Sequence, residues 1–83
     1  MKLSENIVLS EKIVGRRYEN LDSLKSDIEA CLKRKIKVII ESESERLKET
    51  DFMIDYCFED DEDDIETIWY LKDNAGNYYI TEV

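Results

Sequence analysis

The sequence predicts an α+β domain in which one helix packs on an antiparallel sheet of four to five strands, in the order β-α-β-β-β-β. One segment repeats its apolar residues at helical spacing, and several later segments alternate apolar and polar residues as half-buried strands do. The chain has 83 residues, a length typical of one domain, which we expect to span residues 1–83.

The first segment, residues 6–18, is rich in β-branched residues and is interpreted as a strand that bends near residues 10–12. A short helix that begins at Ser4 and ends at Gly15 is the alternative. We favour the strand because the apolar side chains of this segment scatter around a helical wheel instead of forming one stripe.

Residues 21–34 are predicted to form the helix. Asn20 precedes them and can serve as N-cap, because its side chain can accept hydrogen bonds from the first free backbone N–H groups. Basic residues follow the segment, where they complement the negative end of the helix dipole. The apolar stripe recurs every three or four positions and consists of Leu21, Leu24, Ile28, Cys31 and Leu32.

Alternation of apolar and polar residues predicts the later strands. The acidic stretch 59–64 is expected to interrupt this alternation. Residues 72–77 predict a tight turn in which Gly76 adopts the left-handed conformation. The strands are expected at residues 36–42, 52–58, 65–71 and 77–83.

Aromatic residues concentrate in the last predicted hairpin. We expect Trp69 to lie in the core against the helix. Tyr70 is expected on the exposed face, either in a cross-strand pair with another tyrosine or as an anchor of an interface, where Tyr and Trp are favoured.

The composition argues against catalysis and against a dedicated metal or cofactor site. The chain has no histidine, so a serine or cysteine nucleophile has no imidazole base, and no glycine-rich phosphate loop occurs. Residues 55–66 have the outline of a calcium loop, but Asp60 stands where the turn requires glycine. Cys31 and Cys57 are expected to be free thiols. We therefore expect no enzyme, no cofactor and no metal.

Charge is distributed unevenly along the chain, whose net charge is -9. Residues 1–40 carry nine basic and six acidic side chains, whereas residues 41–83 carry three basic and fifteen acidic ones. If the second and third predicted strands form a hairpin, two groups of acids lie at its opposite ends. We expect an acidic edge or two acidic poles, whose simplest role is solubility.

Such a surface repels nucleic acid and anionic membranes, and it suits a basic groove on a protein partner. No apolar run approaches the length of a membrane span, and the charged start of the chain does not fit a signal peptide. We therefore expect a soluble, cytoplasmic protein. The residues expected to contact the partner are Glu41, Glu43, Glu45, Glu59, Asp60, Asp61, Glu62, Asp63, Asp64, Glu66 and Tyr70.

Small size, a helix on an antiparallel sheet and the acidic runs ESESERLKE and EDDEDDIE make the chain resemble the small acidic inhibitors encoded by phages, the anti-CRISPR proteins and other DNA mimics. The resemblance lies in overall character. It implies a non-enzymatic inhibitor that blocks DNA or RNA binding by a basic protein such as a CRISPR effector. An antitoxin, an immunity-type protein or an adaptor with a partly apolar interface is the alternative, and a homodimer is compatible with either.

Overall fold

The structure, a computed structural model, describes residues 1–43 and 52–83. These residues form an α+β fold with two helices and five strands, which confirms the predicted class. The prediction of a single helix and the order β-α-β-β-β-β are wrong, because the described elements follow the order α-β-α-β-β-β-β. The elements are α1 (Leu3–Ile13), β1 (Arg17–Tyr18), α2 (Leu21–Leu32), β2 (Ile36–Glu43), β3 (Phe52–Phe58), β4 (Asp61–Lys72) and β5 (Tyr78–Glu82).

The sheet has the strand order β1-β5-β4-β3-β2, and all neighbouring strands are antiparallel. Both helices contribute side chains to a single core formed with one face of the sheet. Glu43 at the end of β2 and the turn from β3 to β4 lie at opposite ends of β3, because antiparallel strands alternate in direction. Glu41 and Glu43 are therefore separated from the acids that follow Phe58 by the length of β3, and the rest of the first predicted acidic group lies outside the described residues.

Helix α1 replaces the strand that the sequence predicted over residues 6–18, except at β1. The alternative, a helix from Ser4 to Gly15, is close to the observed helix, which begins at Leu3 and ends at Ile13, two residues before Gly15. Leu9 and Ile13 are fully buried one helical turn apart, so two contacts with the core hold this helix. Its remaining apolar side chains stay exposed, which is why the pattern lacks a single stripe. Gly15 has a φ of 85°, and its N–H donates to the carbonyl of Ile80 at 2.8 Å.

Helix α2 confirms the predicted helix. The Asn20 side chain accepts a hydrogen bond from the Ser23 N–H at 2.8 Å, as an N-cap does. Leu24 and Ile28 are 1% and 2% exposed, so the apolar stripe faces the core. The helix ends at Lys33, which adopts the left-handed conformation with a φ of 55°.

Strands β2 and β3 form the predicted hairpin. Ile36 lies opposite Phe58 and Val38 opposite Tyr56, but one extra residue, Ile39, shifts the register before Ile40. Ile40 therefore lies opposite Asp55, and the regular alternation predicted for this strand ends at the bulge.

Strand β4 begins earlier than predicted. Only Glu59 and Asp60 form the turn after β3, and the strand starts at Asp61, so the acidic stretch continues the sheet instead of interrupting it. Ile54 lies opposite Ile68 and Phe52 opposite Tyr70. This register directs Ile68 and Tyr70 toward the helices, since directly opposed residues share a face.

The faces of β4 are therefore the reverse of those predicted. Tyr70 is 1% exposed and packs in the core, where its ring centroid lies 4.8 Å from that of Tyr78. Trp69 is only partly buried and lies opposite Met53. Because side chains alternate along a strand, a difference of one residue exchanges the two faces.

The last turn confirms its prediction, since Gly76 has a φ of 83°. The Asp73 carboxylate accepts hydrogen bonds from the backbone N–H groups of Ala75 and Asn77, both at 2.9 Å. These hydrogen bonds lower the pKa of Asp73, and the bond from the Asn77 N–H has the largest effect. Cys31 and Cys57 are free thiols.

Candidate functional site

The candidate site is the exposed acidic segment that connects β3 to β4, which we name the acidic turn and define as residues 59–63. All five side chains of the acidic turn are exposed. It comprises the two-residue turn and the first residues of β4, of which Asp61 lies opposite Phe58 in β3. The segment is positioned by the pairing of Phe58 with Asp61 and of Cys57 with Ile65, between which the register shifts.

Two basic side chains, one from the segment between α2 and β2 and one from the start of β2, lie against the acidic turn. The Nη2 of Arg34 lies 2.8 Å from the Oδ1 of Asp60, and the ammonium of Lys37 donates to Glu62. The bond from Lys37 lowers the pKa of the Glu62 carboxyl. Both acids nevertheless remain largely exposed, with side-chain exposures of 69% for Asp60 and 63% for Glu62.

Arg34 connects this turn to both helices. Its Nη1 lies 3.3 Å from the Oε2 of Glu5 in α1, and its guanidinium lies over the ring of Phe58. The hydrogen bond to Asp60, followed by that to Glu5, raises the pKa of Arg34. Arg34 thus fixes the position of the acidic turn relative to the helices.

Asp64 and Glu66 follow the acidic turn on β4 and face the start of the chain. The α-amino group of Met1 donates to Asp64 and, at 3.0 Å, to the Oε1 of Glu66. The bond from the amino group lowers the pKa of Asp64. With exposures of 23% and 25%, these two carboxylates belong to an internal ion-pair cluster more than to the surface.

Three acids of the turn form no ion pair in the part of the chain that the structure describes, although Lys37 lies close enough to Glu59 to attract it. Glu59, Asp61 and Asp63 are exposed, and no ion pair to any of them occurs among the described residues. Together with the exposed parts of Asp60 and Glu62, they are the exposed carboxylates of the acidic turn.

The structure separates the other predicted partner-binding residues from this surface. Glu41 and Glu43 lie on β2 toward its far end, and Glu45 lies outside the described residues. Tyr70 is buried at 1% exposure, so its side chain belongs to the core and is removed from the candidate surface. The sequence pattern misplaced it because Trp69 and Tyr70 are adjacent and both suit either face of a strand.

Sequence reasoning also missed the pairing between the basic and acidic segments. The register of the first hairpin sets Ile36 opposite Phe58, which brings the basic residues next to Ile36 beside the residues that follow Phe58. This pairing could have been inferred from the predicted hairpin. In two antiparallel strands, the residues that precede the first strand lie near the residues that follow the second.

A second unpredicted feature is an apolar strip on α1. Leu3 and Ile7 are 75% and 49% exposed, and their spacing of four residues places them on one side of the helix. Val8 is also 49% exposed. Exposed apolar side chains grouped in this way are typical of protein contact surfaces.

Comparison of the chain with models of known protein families, with curated proteins and with solved structures found no match. Among the described residues, no group of three or more potential ligands is placed to hold a metal ion. No helix in that part of the chain has the length and apolarity needed to cross a membrane.

Proposed function

We propose that the chain is a non-enzymatic inhibitor that docks the acidic turn in a basic groove of a nucleic-acid-handling protein and so blocks the binding of DNA or RNA. The exposure of all five carboxylates of residues 59–63 is the observation that carries this proposal. It agrees with the acidic, phage-encoded inhibitors, including anti-CRISPR proteins, that the chain resembles in character.

The density of these carboxylates supports mimicry of a phosphate backbone. Residues 59–63 are five consecutive acids, and a nucleic-acid strand likewise carries a negative charge on every repeating unit. The net charge of -9 accelerates the encounter with a basic surface.

The internal ion pairs support the same function by holding the turn in place. Arg34 and Lys37 contact Asp60 and Glu62 from the protein side, while both carboxylates stay more than half exposed. A surface that is ordered before binding loses less conformational entropy when the partner binds.

The experiment replaces the three acids of the turn that form no ion pair among the described residues, in the variant Glu59→Gln/Asp61→Asn/Asp63→Asn. The assay measures displacement of a short fluorescent DNA duplex from purified proteins with basic nucleic-acid channels, a CRISPR effector among them. We expect the parent to displace the duplex, less so as salt rises. The variant should compete more weakly, chiefly because it associates more slowly.

A matched control removes the same charge elsewhere. Glu11, Glu19 and Glu82 are exposed, and the variant Glu11→Gln/Glu19→Gln/Glu82→Gln has the same net charge as the triple variant of the turn. The control should compete nearly as well as the parent. If the turn variant displaces the duplex as well as the parent does, the acidic turn serves solubility alone. If the turn variant and the control both compete more weakly than the parent to the same extent, the effect is one of net charge and not of the acidic turn.

One observation favours the alternative, an antitoxin, immunity-type or adaptor protein with a specific partner. The exposed apolar strip on α1, which contains Leu3 and Ile7, suits an apolar contact. Binding through this strip would change little with salt, would be lost in Ile7→Lys, and would persist in the triple variant of the turn. Salt dependence together with these two variants separates the two functions.

A further inference from the structure

The sheet has one face that neither described helix covers. Both helices and the buried side chains of Ile68 and Tyr70 lie on the other face. Because side chains alternate along β4 and directly opposed residues share a face, the residues that alternate with these two point away from the helices. We name this surface the open face and define its apolar members as Met53, Ile65, Trp69, Leu71 and Tyr79.

Ile65 is the most exposed apolar side chain of the open face. It is 59% exposed and lies opposite Cys57 of β3. The residues on either side of it, Asp64 and Glu66, turn toward the helices and bind Met1. An exposed isoleucine gains free energy when a partner covers it, and exposed apolar patches are typical of binding surfaces.

The polar side chains in the middle of the open face satisfy each other. Thr67 lies opposite Asp55, and its hydroxyl donates to the Asp55 carboxylate at 2.7 Å. A partner that covers the middle of the face leaves this hydrogen bond intact. The desolvation cost of covering it is therefore smaller than for two polar groups without a partner.

The acidic turn lies at one end of the open face. Asp63 precedes Ile65 by two residues on β4, so both side chains lie on the same side of the strand. Lys37 lies opposite Cys57, and its ammonium donates to Glu62, which places that carboxylate at the same end. Both acids are exposed. The open face is therefore mainly apolar along β4 and acidic where β4 begins.

Charge selects the kind of molecule that fits this surface. Cations of a partner would meet Glu62 and Asp63, while its apolar side chains would cover Ile65 and the residues beyond it. A nucleic-acid strand is repelled by these carboxylates. A second copy of the chain brings another net charge of -9, which opposes association. A basic protein segment with apolar residues along one side is complementary to both parts of the surface.

We propose that the open face is the apolar part of the partner interface, and that it binds an amphipathic protein segment whose lysine or arginine residues contact the acidic turn. This inference rests on the proposed function, because the acidic turn supplies the charged part of the interface. Charged contacts accelerate association, and a well-packed interface centre supplies most of the affinity.

The experiment uses two synthetic probes with equal numbers of lysines. One is a helical leucine-lysine peptide with its leucines on one side, and the other is an oligolysine. Calorimetry with the parent should show that the leucine-lysine peptide binds at least about tenfold more tightly, because it also buries apolar surface. Trp69 is the single tryptophan of the chain, and only the leucine-lysine peptide should shift its fluorescence emission.

Two matched variants locate the apolar contact. Ile65→Ser changes the open face, and Ile7→Ser changes α1 on the other side of the sheet. The two isoleucines are 59% and 49% exposed, so both variants should fold. Ile65→Ser should reduce the preference for the leucine-lysine peptide to less than about threefold, whereas Ile7→Ser should keep it.

The variant Glu59→Gln/Asp61→Asn/Asp63→Asn separates this inference from the proposed function. It should weaken the binding of both peptides, because both use the acidic turn. If it does so, but the parent binds the two peptides equally tightly, this inference is wrong and the proposed function stands. If it weakens neither peptide, the proposed function is wrong and this inference is wrong with it.

Three further outcomes would overturn the inference by assigning the apolar contact elsewhere. A preference that is lost in Ile7→Ser and kept in Ile65→Ser would assign it to α1. A shift of the Trp69 emission by a single-stranded DNA oligonucleotide would assign the open face to nucleic acid. Self-association of the parent that Ile65→Ser abolishes, measured by sedimentation velocity, would assign the open face to a second copy of the chain.

Discussion

The guanidinium carbon of Arg34 lies 3.6 Å from the centroid of the Phe58 ring, while the two Nη atoms of the same side chain reach Glu5 and Asp60. One cation thus connects the end of α2, the start of α1 and the turn before β4. The planar guanidinium can stack on an aromatic ring and donate to two carboxylates at once, which an ammonium cannot do.

Replacement of Arg34 should therefore lower stability more than replacement of its neighbour. We expect Arg34→Ala to lower the thermal unfolding midpoint by several degrees, because Glu5 and Asp60 lose their shared cation and Phe58 loses its cover. Arg34→Lys should fall between the parent and Arg34→Ala. The exposed neighbour Lys35 provides the control, since Lys35→Ala should change the midpoint little. Equal midpoints for Arg34→Ala and Lys35→Ala would show that this cluster adds no stability.

Replacement of Lys33 by glycine should stabilise the folded protein. The φ of 55° at Lys33 lies in the left-handed region, where a side chain is strained and glycine is not. We expect Lys33→Gly to raise the free energy of unfolding by about 0.5–1 kcal/mol, measured by urea denaturation. Lys33→Ala removes the same charge but keeps the strain, so it should not stabilise. Stabilisation of equal size by both variants would point to charge instead of backbone conformation.

The hydroxyl of Tyr56 should contribute nothing to stability. The side chain is 1% exposed, its hydroxyl has no hydrogen-bond partner among the described residues, and burial raises its pKa. Tyr56→Phe should be neutral or more stable by up to about 1 kcal/mol, because a buried hydroxyl without a partner carries a desolvation cost.

Tyr18 gives the matched control for that substitution. Its hydroxyl donates to the Asp27 carboxylate, so Tyr18→Phe should lower the free energy of unfolding by about 1 kcal/mol. Denaturant titrations of both variants measure the difference. A loss of 1 kcal/mol or more in Tyr56→Phe would mean that its hydroxyl is bonded after all.

Acid should weaken the last hairpin turn through Asp73. Hydrogen bonds from Asn77, and the nearby Arg17, hold the pKa of this carboxyl below its ordinary value of 3.8. A group whose pKa is lower in the folded state stabilises the fold above its unfolded pKa, and this stability is lost as pH falls through the folded pKa. The contribution of Asp73 is therefore complete above about pH 5 and declines below about pH 4.

The variant Asp73→Asn isolates this effect. Its amide oxygen can still accept from the backbone N–H groups of the turn, but it does not titrate. Unfolding measured from neutral to acid pH should show a difference between parent and variant that shrinks as pH falls. A difference that is constant over this range would assign the role of Asp73 to geometry alone.

Local patterns were sufficient for α2, β3 and the turn at Gly76. In α2 the N-cap Asn20 and the buried Leu24 and Ile28 lie where the periodicity placed them. These elements could be predicted because one continuous segment contains both the signal and its cause: a cap beside its helix, an alternation along its strand, or a glycine at a position of positive φ.

The candidate site was predicted only in part. The sequence indicated an acidic segment after β3. The structure showed which acids of that segment form ion pairs and which do not. Asp60 and Glu62 meet Arg34 and Lys37, whereas Glu59, Asp61 and Asp63 have no ion pair among the described residues. Charge counts along a chain cannot contain this division, because opposite charges far apart in sequence become neighbours only when the hairpin forms.

The sequence by itself therefore determined the α+β class, the helix α2, the strand β3 and the acidic character of the segment that follows it. Only the tertiary structure decided that residues 3–13 are helical, that Tyr70 rather than Trp69 is buried, and that β2 contains a bulge. The physical reason is the same in each case. A short segment such as residues 3–13 forms a helix or a strand with nearly equal free energy, and two adjacent aromatic residues fit either face of a strand about equally well. Long-range contacts with the core therefore select the conformation and the buried face.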